Sequence, residues 1–268
     1  MGDEIRGEKK GPIFYLTLNR PEKRNAITFD MLAVIAEMVE DLITDADIRV
    51  ILLRGEGPVF SAGVDFPSLA GLVDRFLKDS AAGGASIRAD IARYQQYLNR
   101  LETIEIPILC ALHGRVLGLG MELVLPCDIR LMSDDCIWGM PELKFGTIPD
   151  LGGTARLTRV VGAAKAMEIL MTGRMYPAAE ALRLGLVNGI FPARDLMAEA
   201  EKMATEIAGI APLAVGAVKR VVRKGEGVDL MTHLDMEANL QSILLRSEDF
   251  REGVSSMMER RPPNWRRR

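Results

Sequence analysis

Residues 106–129 form the most apolar stretch of the chain, yet His113, Arg115, Glu122 and Asp128 interrupt it. Polar groups so spaced rule against a membrane span, because each would be costly to hold in hydrocarbon. A protein interior is required instead. Ile108-Leu109-Cys110-Ala111-Leu112 reads as a buried strand, and the run from Leu117 through Glu122 to Leu125 as a buried helix. Such a pair is stable only when further layers cover it on both sides. Glu122 then enters a helix that is apolar all round, and buried carboxylates are rare unless paired or functional.

The rest of the chain supplies layers. Residues 13–18 pattern as a strand that ends in the polar turn 19–25, and Thr28 is placed to cap a helix. Its stripe is Met31, Leu32, Ile35, Met38, Val39 and Leu42. Residues 49–54 form a second, fully covered strand, which leads through Gly55-Glu56-Gly57-Pro58 into the turn 60–65. Within residues 67–85, Ala81-Ala82-Gly83-Gly84-Ala85 breaks weak helical patterns and predicts a mobile loop, a candidate lid. Ile87, Ile91, Tyr94, Leu98 and Leu101 restore helical spacing as far as Pro107. Short strands follow at 128–132 and 136–138, and Gly152-Gly153-Thr154 opens a helix through Val161. Beyond Asp195 helical patterns dominate, broken near Ala211-Pro212 and Gly225-Glu226-Gly227. The reading is an α/β chain, with a layered core over 1–194 and a helical region over 195–268. The basic end, residues 260–268, is expected to be solvated or to clasp a neighbouring subunit.

Several function classes fall away. A net charge of −3 and a pI near 5.6 argue against nucleic acid as a partner. Cys110, Cys127 and Cys136 are an odd count without a C-x-x-C, which indicates buried thiols of a reducing cytoplasm and neither a disulfide framework nor a zinc site. The first residues lack the apolar core of a secretory signal, so a soluble cytoplasmic protein is expected. The sequence has no G-x-S-x-G, H-E-x-x-H, Walker or complete G-x-G-x-x-G motif. His113 and His233 are the only histidines, and neither has a triad or metal setting.

Carboxylates and backbone amides remain. Glu142, after Trp138-Gly139-Met140-Pro141, is a second acid among residues that exclude water. A helix starting near Gly118 would leave the Leu119 N–H free in its first turn, and the Ala62-Gly63 turn could free that of Val64. Two donors converging on one oxygen make an oxyanion hole, worth on the order of 3 kcal/mol per donor. Glycine turns that merely permit close packing are the competing explanation. Asp150, near another helix start, is either a third functional acid or that helix's N-terminal charge.

Taken together, several ordered segments carry a family resemblance: residues 19–26, residues 60–65, and His113-Gly114 through Glu122 to Cys127-Asp128. Pro141-Glu142 with residues 146–149 and 152–154, and Thr172-Gly173-Arg174 with residues 178–187, extend it. Over nearly its whole length the chain resembles the crotonase superfamily, the enoyl-CoA hydratases and isomerases. The resemblance implies a crotonase-like spiral of repeated ββα units, with a C-terminal helical trimerisation region and assembly as trimers or paired trimers. It further implies Val64 and Leu119 as the oxyanion amides and Glu122 and Glu142 as the hydratase pair. Arg24, Ala26, Ala62, Asp65, Gly118 and Pro141 fall where the family approaches the acyl-CoA. The implied reaction is hydration of a trans-2-enoyl-CoA, with Glu122 ionised, Glu142 protonated, or the roles shared or reversed. No cofactor is implied, since coenzyme A is part of the substrate. Two positions depart from the hydratase pattern. Leu119 stands where many hydratases have Gly, although only its N–H is needed. Asp150 resembles the catalytic acid of dienoyl-CoA isomerases, which makes isomerisation the alternative activity. A non-catalytic acyl-CoA or RNA-binding member is the alternative of another class.

Overall fold

A hairpin opens the chain in the computed structural model, which describes residues 4–78 and 83–268. Strand β1 (Ile5–Lys10) pairs antiparallel with β2 (Ile13–Leu18) across Gly11, whose φ is 56°. Strand β2 matches the expected strand 13–18, and β1 has no counterpart among the expected elements. Every residue of β1 after Ile5 is exposed, and a polar, lysine-ended edge strand carries no buried alternation to read. Helix α1 (Phe29–Asp41) starts where expected, with Thr28 Oγ1 accepting the Met31 N–H at 3.2 Å. Strand β3 (Val50–Gly55) lies parallel to β2.

The region expected as a loop is mostly helical. Helix α2 (Phe66–Lys78) precedes α3 (Gly83–Thr103), and residues 79–82, at the centre of the expected lid, lie outside the described residues. Strand β4 (Ile108–Leu112) follows, then β5 (Arg115–Leu117), the short helix α4 (Leu119–Val124), β6 (Ile129–Ser133) and β7 (Ile137–Gly139). After a 3-10 turn at Glu142–Phe145 come α5 (Gly153–Val161), α6 (Ala163–Thr172), β8 (Met175–Pro177), α7 (Ala178–Arg183) and β9 (Gly189–Phe191). The helices α8 (Leu196–Ala208), α9 (Pro212–Gly225), α10 (Leu230–Leu244) and α11 (Glu248–Glu259) complete the chain.

Two sheets share these strands. The first has the order β1-β2-β3-β4-β6-β9 and is parallel from β2 onward; the second has the order β5-β7-β8. The chain therefore steps from one sheet to the other and returns through a helix, as in β4-β5-α4-β6-β7. Single parallel bridges, Ile27 with Val64 and Ser61 with Val116, extend the second sheet toward α1. That extension sets the turn after Phe60 beside the start of α4.

Strand β3 shows why its run reads as continuously apolar. Ile51 and Leu53 face one core with Leu32, Ile35 and Leu98, whereas Val50 and Leu52 face another. Helix α8 covers the second face with Leu196, Ala200, Ala204 and Ala208, where small side chains let it lie close on the sheet. Cys110, Cys127 and Cys136 are buried and free. Among the described residues, no helix is long and apolar enough to cross a membrane.

The basic end is largely exposed, as expected for a solvated tail, and is also tied back to its own chain. Trp265 Nε1 donates to Gly209 O at 2.7 Å, and Arg49 Nη2 donates to Trp265 O at 2.9 Å. Asp249 is buried, and the Arg266 and Arg267 amides supply donors to its carboxylate. A buried charge in α11 thus gives the tail its anchor.

Candidate active site

Glycine at 118 sets the entry to α4. Its φ of 50° and ψ of −120° suit a residue without Cβ, and its N–H donates to Gly139 O at 2.9 Å. The chain then turns into α4 with the Leu119 N–H unclaimed by any protein acceptor among the described residues, and the same holds for Val64. The two amide-bearing segments meet. A Cβ placed on Gly63 would lie 3.0 Å from Leu117 O and 3.8 Å from Leu119 N. Ser61 fixes the first segment: its Oγ donates to Asn25 O at 2.8 Å and accepts the Gly63 N–H at 3.1 Å. The same glycines therefore allow the close contact and leave the amides free.

Val64 and Leu119 both line a cavity of about 520 Å³. Ala62, Val64, Gly118, Leu119, Glu122, Pro141, Glu142 and Asp150 all line it, so the expected acids and oxyanion residues share one space. Leu72, Ile87, Ile91 and Tyr94 from α2 and α3 form an apolar wall; the last three belong to the stripe whose spacing reads as helix packing. The same stripe serves both purposes, since Tyr94 also stacks on Phe29 at 4.5 Å. Phe66 and Phe145, both exposed, meet edge to face at 5.4 Å on the cavity's border.

Glu122 is 3% exposed, and its Oε1 accepts the Leu151 N–H at 2.8 Å and the Gly153 N–H at 2.9 Å. Burial, and then the charge of Glu142, push its carboxyl up to about 8; Asp150 adds to this, and the two amides pull the other way. Glu142 packs over bare backbone, its Oε1 only 3.1 Å from where a Cβ on Gly118 would be. Neither Glu142 oxygen meets a protein donor among the described residues, and burial followed by Asp150 raises its pKa. Asp150 is raised by burial as well. It does not cap α5, whose N-cap Gly152 has φ 104° and no side-chain bond. Burial raises all three acids of the cavity, and their mutual repulsion opposes ionising them together.

Arg24, Ala26 and Asp65 stand outside the cavity lining. Arg24 is exposed, and its carbonyl accepts the Ala62 N–H at 2.9 Å, directly behind the cavity wall. Asp65 turns away. It accepts from Arg20 Nη1 at 3.0 Å and from the Ser68 N–H at 3.0 Å, which makes it an ion-pair partner and the cap of α2. His113 is structural, with Nε2 2.9 Å from Gly57 O.

Comparison with known proteins places the chain among related sequences over almost its full length. The profile of the Enoyl-CoA hydratase/isomerase family matches residues 8–268. The 2,3-dehydroadipyl-CoA hydratase of Escherichia coli is 33% identical over 256 residues, which covers 96% of each chain. The peroxisomal Delta(3,5)-Delta(2,4)-dienoyl-CoA isomerase of Arabidopsis thaliana is 33% identical over 264 residues, covering 97% of this chain and 95% of the isomerase. The crystal structure of an enoyl-CoA hydratase from Bacillus anthracis superposes with a TM-score of 0.90 at 29% identity, covering 99% of this chain and 100% of that one.

Proposed function

Because the chain belongs to the enoyl-CoA hydratase/isomerase family of the crotonase superfamily, we propose that it adds water across the 2,3 double bond of a trans-2-enoyl-CoA. The observation that supports this reading is the presence of Glu122, Glu142 and both free amides around one cavity. The Val64 and Leu119 amides take charge onto the thioester oxygen, so the β-carbon becomes electrophilic. Glu122, when ionised, orients and deprotonates water, and a protonated Glu142 delivers a proton to the α-carbon. The amides of Leu151 and Gly153 favour the ionised form of Glu122, but burial and Glu142 outweigh them and hold the resting acid up at about 8, so Glu122 acts as base from its minor ionised form and the two carboxyls can share or reverse their roles.

Coenzyme A enters as part of the substrate and the reaction takes no further cofactor. Arg24 and Ala26, behind the cavity wall, keep an assignment to the CoA moiety; Asp65 supports them through Arg20, which also holds the Ala26 carbonyl at 2.8 Å. We assign acyl-CoA binding and catalysis to residues 1–194, and association into a trimer or pair of trimers, in a reducing cytoplasm, to the helical residues 195–268; none of these lines the cavity of its own chain, so a cover from this region would come from a neighbouring subunit. A specific observation favours a second activity. Asp150 lines the cavity with no capping role, and a third acid there could carry a proton between distant carbons, as double-bond isomerisation demands.

Purified protein mixed with crotonyl-CoA is expected to lose the absorbance of the conjugated thioester. Failure to turn over any 2-enoyl-CoA across a panel of chain lengths would sink the hydratase reading.

A further inference from the structure

A polar cluster that the proposed chemistry does not use lies behind Glu122. Arg156, on α5, is 7% exposed. Its Nε and Nη2 donate to Glu102 Oε2 at 3.0 and 2.8 Å, Nη2 also to Asn99 Oδ1 at 2.5 Å, and Nη1 to the Leu151 carbonyl at 3.2 Å. Gln95 Nε2 donates to the Asp150 carbonyl at 2.6 Å. Gln95, Asn99 and Glu102 are spaced to share one face of α3, so that face grips the turn 150–153 at two carbonyls. The turn's amides point at Glu122. Gly152 makes this possible, since its φ of 104° and missing side chain leave the space that the Arg156 guanidinium occupies.

Stability alone is a weak reason for such a cluster, because buried ion pairs are often no better than apolar packing of the same shape. Geometry is the stronger reason. We propose that Arg156, locked to α3 by Glu102 and Asn99, is a positioning residue that holds the turn 151–153 so that both amides grip Glu122, and thereby governs how readily that acid gives up its proton. The inference rests on Glu122 being a proton-handling group of the reaction. The charged groups around the pair are few: Glu142 and Asp150 face Glu122, while Glu102 on α3 faces Arg156 and has Arg223 of α9 on its other oxygen at 3.5 Å. Hydrogen bonds to the ionised form hold a carboxyl's pKa down, so a loosened turn lets Glu122 rise further.

The test is a carboxyl titration of the full-length protein by infrared or carbon-13 spectroscopy of labelled glutamate, with the Glu122 signal identified by its loss in Glu122→Gln. In Arg156→Met the Glu122 midpoint is expected to move up by about one unit, the weakening of roughly one amide bond to a carboxylate. The acidic limb of kcat/KM against pH should move alkaline by the same amount, with KM for crotonyl-CoA little changed. Glu102→Gln, which keeps the shape and removes the charge, should give a smaller shift in the same direction and carries the test where Arg156→Met does not fold. A folded variant of either kind with the Glu122 midpoint unmoved overturns the proposal. Absence of any hydration by the wild type would remove the functional reading and still leave the titration to judge the clamp.

Discussion

Glu122 and Gly153 are in direct contact: the carboxylate takes the glycine N–H at 2.9 Å, and a Cβ on Gly153 would come within 2.8 Å of the same oxygen. The position is closed on its other sides by Met140 and Pro149, each 2.6 Å from that Cβ. Gly153→Ala must therefore displace the acid or the turn. We expect hydratase kcat to fall by about 10-fold or more, as misplacement of a catalytic group does, with a stability loss of about 1–3 kcal/mol from overpacking. Steady-state kinetics and urea unfolding check both.

Removing Glu142 should separate activity from stability. Its oxygens meet no protein donor among the described residues, so Glu142→Gln breaks no such bond. The rate on crotonyl-CoA is expected to drop by about 100-fold or more, the worth of a general acid, while the thermal midpoint at neutral pH holds or rises, since an acid whose ionisation costs the fold stability is removed. A rate within a few fold of wild type would remove Glu142 from the mechanism.

The pH dependence of stability has a definite sign. Glu122 goes from an ordinary 4.5 to about 8 on folding, so between these values the unfolded chain releases a proton that the folded chain keeps. The unfolded state then binds fewer protons, and stability declines as pH rises through this window, levelling off above about 8. Glu142 and Asp150, also raised, add to the slope. Glu122→Gln should flatten it, gaining stability relative to wild type more at about pH 8 than at about pH 5. Denaturant titrations at the two pH values provide the comparison.

The apolar wall should set chain length. Ile91→Trp fills part of the cavity on the side formed by α2 and α3, and each methylene that loses its place costs about 0.8 kcal/mol, close to 4-fold in kcat/KM. Longer 2-enoyl-CoA substrates should suffer progressively, and crotonyl-CoA least. A uniform loss across chain lengths would show that the acyl chain does not run along Ile91.

Asp150 decides the alternative activity. If the chain isomerises 3-enoyl- or 3,5-dienoyl-CoA, Asp150→Asn should remove that activity by about 100-fold and spare hydration of crotonyl-CoA to within a few fold. Equal losses in both assays would mean that Asp150 shapes the cavity and carries no proton.

Periodicity and glycine placement made much of the fold legible. The α1 stripe, the capping Thr28, the covered strand β3 and the start of α4 at Gly118 each follow from local rules that the sequence states outright. Strands β5 and β8 are three residues long and form only because β7 lies between them, so no local pattern announces them. Helix α2 overrode the weak patterns before Ala81 because its apolar residues have a cavity and α3 to face.

The sequence by itself determined the chemical parts: two glutamates and an aspartate in apolar surroundings, two glycine turns able to free amides, and the ordered motifs of one family. These are properties of residue type and near neighbours, which a linear chain displays. Only the tertiary structure decided how the parts meet. It turned Asp65 toward Arg20 and the N-terminus of α2, anchored the basic tail to Asp249, and put Gln95, Asn99 and Glu102 behind the turn that grips Glu122. A carboxylate finds its partners through whatever burial brings near it, often many residues away, and no spacing in the sequence encodes that distance.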